Sequence, residues 1–128
     1  MEVIEDFVPF KMAIKLKEKG LTLSKEYIFG AYDEDGDLFS MLEYNVNEEW
    51  CVFAPTISQA LKWLRETKSI NLEMCMIEDC WVCPIIDLSK KDEDCDSLAF
   101  CVECLKGGYK SYEEAAIAGV NYVLDNLI

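Results

Sequence analysis

The sequence predicts an α+β fold: an antiparallel sheet of about four to five strands packed with three helices. Three observations carry this expectation. Apolar residues recur at helical spacing behind capping residues in three places. Between those places the pattern changes to strand-like runs bounded by turn residues. The strands are grouped between helices and joined by hairpin signals, which is the layout of an antiparallel sheet rather than of alternating parallel units. The expected order is α-ββ-α-ββ(β)-α, with a β-β-α block occurring twice, all within one domain over residues 1–128.

The first helix follows Asp6. Pro9 is tolerated in an opening turn, where its missing N–H has no intrahelical acceptor to lose, and Gly20 supplies the stop. Phe7, Phe10, Ala13 and Ile14 share a face. Lys11, Lys15, Lys17 and Lys19 gather toward the end where the helix dipole favours positive charge. The second helix opens at Thr56 with Gln59 three residues on, a capping box, and Ile57, Ala60, Leu61 and Leu64 fall at i, i+3, i+4 and i+7. The third opens at Ser111 with Glu114. Its stripe of Tyr112, Ala115, Ala116, Gly119 and Val123 is rich in small residues, so it is expected to lie close against its neighbour.

Strands occupy the intervals. Tyr27 to Tyr44 reads as a hairpin centred on Asp35-Gly36, and a two-residue type I′ loop there pairs Tyr32 with Phe39 and Tyr27 with Tyr44. Ile70, Leu72, Met74 and Met76 alternate along the next strand. Residues 80–88 and 98–105 are further strands, with Pro84 placing the former at an edge or a bulge. Residues 89–97 read as a long polar loop.

Composition excludes several function classes. The 128 residues carry 25 acidic and 12 basic side chains, a net charge of −13 spread evenly over both halves. That balance disfavours direct nucleic-acid binding through a basic face and docking on an anionic membrane. There is no histidine, which removes Ser-His-Asp triads, Cys-His dyads and HExxH zinc sites. No nucleophile has an identifiable base and no cofactor motif is present, so the expectation is a protein that is not an enzyme. The N-terminus has no signal-peptide pattern and no apolar run reaches 18 residues. Seven cysteines, an odd number, then read as reduced thiols in the cytoplasm.

Three stretches carry a resemblance. Glu5-Asp6-Phe7-Val8-Pro9-Phe10-Lys11-Met12-Ala13, Ala54-Pro55-Thr56-Ile57-Ser58-Gln59-Ala60-Leu61-Lys62-Trp63-Leu64-Arg65 and Ser111-Tyr112-Glu113-Glu114-Ala115-Ala116 resemble a group of small proteins encoded by phages, prophages and mobile elements of gut Bacteroidetes. The layout is also similar to the phage ABA sandwich domain, in which a sheet lies between helical layers. The resemblance implies a fold and a genomic setting. It implies no catalytic residue, substrate or cofactor.

The cysteines pose a separate question. Cys80-Trp81-Val82-Cys83 and Cys101-Val102-Glu103-Cys104 are two CxxC units at a spacing that suits a four-thiolate structural zinc site. Cys83, however, precedes Pro84-Ile85-Ile86 in a segment that reads as a strand, where residues three apart point to opposite faces. Buried or scattered thiols are the competing reading, and Cys51, Cys75 and Cys95 read as plain thiols. Asp33-Glu34-Asp35-Gly36-Asp37 imitates the start of an EF-hand. Leu38 then stands where glycine is needed and Tyr44 where a bidentate glutamate is needed, so it reads as a solvated hairpin tip. Asp92-Glu93-Asp94 with Asp96 reads as part of the polar loop. Of Trp50, Trp63 and Trp81, Trp63 lies off its helix's apolar stripe and is the surface-contact candidate.

These readings converge on a small phage or mobile-element accessory protein that binds another protein, with no cofactor. Two alternatives stand beside it. One is an acidic mimic of nucleic acid that inhibits a host protein, and the other is a module stabilised by zinc on Cys80, Cys83, Cys101 and Cys104. An apolar sheet face left uncovered would point to a homodimer.

Overall fold

The computed structural model describes residues 6–40, 51–92 and 95–128, with side chains throughout except at 40 and 90–107, where the backbone alone is described. The fold is α+β. Its described elements are α1 (Phe10–Glu18), β1 (Gly30–Tyr32), β2 (Leu38–Ser40), β3 (Val52–Phe53), α2 (Ile57–Thr67), β4 (Ile70–Leu72), β5 (Cys75–Ile77), β6 (Cys80–Asp92), β7 (Cys95–Tyr109) and α3 (Tyr112–Asn126). Helices and strand groups alternate in the expected order. The strands form two antiparallel sheets rather than one, β2-β1-β3 and a four-stranded sheet in which β4, β5 and β7 all pair with β6. The chain divides into two compact units, Met1–Ala60 and Leu61–Ile128, with the division inside α2.

In the first unit the chain enters extended. Phe7 bridges Thr56, the Val8 N–H donates to Pro55 at 2.9 Å, and the Ile57 N–H donates to Asp6 at 2.8 Å. Val8 precedes a proline whose ring disfavours helical backbone before it. The helix therefore begins at Phe10, later than expected, and Phe7 belongs to the bridge instead of the helix face. Met12, Ala13 and Leu16 form the buried stripe of α1, while Phe10 and Ile14 are half-buried. A Schellman motif closes α1: Gly20 takes φ 103°, its N–H donates to Lys17, and the Leu21 N–H donates to Leu16.

The β1–β2 hairpin differs from the expected one by one residue. Tyr32 opposes Leu38, not Phe39, and Ala31 opposes Phe39. The loop is Glu34-Asp35-Gly36, closed by Asp33 N–H to Asp37 C=O and Gly36 N–H to Asp33 C=O, both 3.0 Å. Gly36 has φ 85° but Asp35 does not have positive φ, so the turn is type I followed by a glycine bulge. The Asp33 side chain decides this, because its Oδ1 accepts from the N–H groups of Asp35 and Asp37. Tyr27 lies in a 3-10 turn and its expected partner Tyr44 lies outside the described residues. The expected capping box of α2 is present: Thr56 Oγ1 accepts from Gln59 N–H, and Gln59 Oε1 accepts from Thr56 N–H.

In the second unit, β4 and β5 lie end to end on one side of β6 in a single register. Ile70, Asn71 and Leu72 oppose Asp87, Ile86 and Ile85; Cys75, Met76 and Ile77 oppose Val82, Trp81 and Cys80. The expected single strand is thus interrupted at Glu73 and Met74 without losing step. Pro84 is the reason. It opposes Glu73 and has no N–H to donate, so only the Glu73 N–H to Pro84 C=O bond, at 2.9 Å, spans the gap. Pro84 sits in a strand paired on both sides, and the register against β7 shifts on either side of it, the bulge form of the expectation. Glu78 and Asp79, at φ 49° and 67°, make the two-residue type I′ turn between β5 and β6.

Residues 89–97 are not the long loop expected. Strand β6 continues to Asp92 and β7 starts at Cys95, with register shifts between Asp87 and Asp92. Beyond Leu88, among the described residues, neither β4 nor β5 pairs with β6, and the ribbon there is β6 against β7. Helix α3 is capped by Ser111, whose side chain accepts from Glu114 N–H, while Glu114 reaches back to the Lys110 N–H. Ala115, Ala116, Gly119, Val120, Val123 and Leu124 are buried. Gly119 allows the close approach that its small-residue stripe predicts.

Candidate functional site

The outer edge of the β4–β5 line, accessible along β5, is the candidate site. Its backbone follows from the ladder. The Leu88 N–H donates to Ser69 at 2.7 Å, and Glu73 donates to Pro84. In an antiparallel pair the residue that bonds its partner turns both backbone groups inward, and the next residue turns both outward. With Ser69 and Glu73 bonded inward, the shared register makes Asn71, Cys75 and Ile77 inward residues as well. Ile70, Leu72, Met74 and Met76 then direct their N–H and C=O groups away from β6. Among the described residues no strand pairs with this side.

The side chains change character along the edge. Ile70 and Leu72 are buried, whereas every residue of β5 is exposed, with Met76 and Ile77 each at 56%. Met76 is thus not a continuation of the buried face that the alternation from Ile70 suggests. Trp81, opposite Met76, packs edge-to-face on Tyr112 with ring centroids 5.5 Å apart. Burial raises the Tyr112 hydroxyl above the ordinary tyrosine range, Glu113 and Cys83 reinforce the shift, and Arg65 opposes it. Glu73, Glu78 and Asp79 are exposed around the hairpin.

The cysteine units are strand residues. Cys83 is fully buried, with its Sγ against α3 at Gly119, while Cys80 is half-buried at the hairpin end, near Gly108. They sit three apart on an extended strand rather than on a knuckle turn. Cys101 and Cys104 stand opposite Ile86 and Pro84 on β7, and their side chains lie outside the described residues. Trp63 is half-buried, with the Lys68 ammonium 5.5 Å from its ring centre. Asp33, Asp35 and Asp37 place carboxylate oxygens within 4.8 Å of one another at the exposed hairpin tip. In the first unit, Ala13, Lys17, Leu21, Phe53 and Pro55 line a shallow crevice with room for about one water.

The β5 edge was the feature that sequence reasoning missed. One signal for it was available: residues 69–89 contain Glu73, Glu78, Asp79 and Asp87 and no lysine or arginine. Comparison of the chain with protein-family models, with curated proteins and with solved structures finds no match. No described helix is long and apolar enough to cross a membrane.

Proposed function

We propose that the chain is a non-enzymatic module that binds another protein, serving as an accessory of a phage or mobile element. The observation that carries the binding role is the exposure of Met76 and Ile77, adjacent residues on a strand whose three side chains all face solvent. Met76 and Ile77 stand on opposite faces of the strand, and large apolar side chains held in water are a cost that association removes, at about 25 cal/mol per Å² of apolar surface. The mobile-element setting rests on the resemblance of the three helix-opening stretches. Affinity capture with the immobilised chain, from a lysate of the organism that encodes it, tests the binding role. The expected result is a protein retained specifically and released by excess free chain. Retention of none contradicts the proposal.

A further inference from the structure

We propose that the outer edge of β5, from Glu73 to Ile77, is an acceptor for strand addition, and that the strand it takes is an extended, basic segment of a partner protein. The proposal rests on the binding-module reading and names the surface and the partner's chemistry.

The backbone supplies the template. Met74 and Met76 direct donors and acceptors outward with no strand beside them among the described residues, along an accessible edge from Glu73 to Ile77 of roughly 16 Å, at about 3.3 Å per residue; Ile70 and Leu72, being buried, do not extend it. Hydrogen bonds to such an edge give affinity without regard to sequence, and side chains flanking it give selectivity. Proteins that keep an edge free of partners blunt it with proline or lysine. Residues 69–79 contain neither. Position 77, beside the turn, is isoleucine, and position 76 is methionine, a flexible side chain that moulds to varied apolar surfaces.

Charge selects the occupant. Glu73 stands at the break between the two strands, and Glu78 and Asp79 stand at the turn, all three exposed. The sequence from Ser69 to Ser89 contains no lysine or arginine, and the Glu73 carboxylate accepts a hydrogen bond from the Asn71 amide at 3.2 Å. A second copy of this chain would bring the same acidic edge against itself, on a molecule of net charge −13. A segment with apolar residues on one face and lysine or arginine on the other meets the edge without that repulsion. Its apolar face covers Met76 or Ile77, and its cations lie beside Glu73 and the turn acids.

The test uses the full chain. Random peptides of about twelve residues are selected on it, and the enriched peptides are measured against the chain and two variants. Met76→Pro removes an outward N–H while leaving the ladder to β6 intact, and Met76→Ala keeps the N–H and shortens the side chain. The expected peptides are basic with alternating apolar residues. Their affinity falls about tenfold or more for Met76→Pro and stays within about threefold for Met76→Ala, with the melting temperatures of both variants unchanged. Enrichment of acidic or uncharged peptides overturns the proposal, as do failure to enrich, equal binding by Met76→Pro, and self-association at this edge. Met76→Pro is also used as bait in the lysate capture. A protein retained equally by it and by the parent chain overturns the edge and leaves the binding role standing. Retention of nothing by the parent chain removes both.

Discussion

Gly119 of α3 lies so close to Cys83 of β6 that a β-carbon on Gly119 would stand 2.5 Å from the Cys83 sulfur, and 2.6 Å from Cδ2 of Leu72. The helix and the sheet meet there with no space for a methyl group. Gly119→Ala is expected to destabilise the fold by about 2–3 kcal/mol in urea denaturation, since overpacking forces backbone shifts. Cys83→Ala alone should cost about 1 kcal/mol by packing loss, equally with and without a chelator. Combined, the two changes should cost less than their sum, because the alanine at 83 removes one of the two clashes.

The β1–β2 turn gives a second prediction. Asp33 caps the turn through two backbone N–H groups, and Gly36 holds φ 85° with Phe10 carbon 3.2 Å from where its β-carbon would be. Asp33→Ala and Gly36→Ala should each cost about 1 kcal/mol in thermal melts. An Asp33→Ala chain that keeps its full stability would show that the carboxylate does not set the register.

The β5–β6 turn offers the opposite sign. Glu78 and Asp79 occupy a type I′ turn that asparagine and glycine fill with less strain. The double change Glu78→Asn, Asp79→Gly should raise stability by about 1 kcal/mol, read as a higher melting temperature. An unchanged or lower value would contradict the turn assignment.

Much of the fold was legible because local chemistry and tertiary context agree. Thr56 with Gln59 and Ser111 with Glu114 cap helices as their spacing predicts, and Gly20 ends α1. What escaped was decided by competition between local options. Asp35-Gly36 is a good type I′ pair, yet the carboxylate two residues earlier captures the backbone first and shifts the register. Glu78-Asp79 is a poor one, yet the flanking strands impose it. Pro84 divides β4 from β5 by a missing donor on the opposite strand, an effect with no trace in the sequence of 70–77 itself. The candidate edge was hidden for the same reason: alternation reports side chains, whereas an edge is a property of unpaired backbone.

Alkaline pH should weaken the fold. Burial raises the Tyr32 hydroxyl, which donates to the Val8 carbonyl, above the ordinary value of 10.0. In the unfolded chain the same group ionises near that ordinary value, so the unfolded state loses its proton first. Stability is therefore full below pH 10 and falls as pH rises through the folded value, with Tyr112 adding in the same direction. Urea melts across this range should fall less steeply for Tyr32→Phe than for the parent chain. Equal slopes would contradict the burial of this hydroxyl.

Residue-resolved amide hydrogen exchange on the free chain tests the edge most directly. The ladder predicts alternation: Cys75 and Ile77, bonded to β6, exchange slowly, and Met74 and Met76, directed outward, exchange much faster. Equal protection at Met74, Cys75, Met76 and Ile77 would mean that the outer edge is already covered, and would contradict the account.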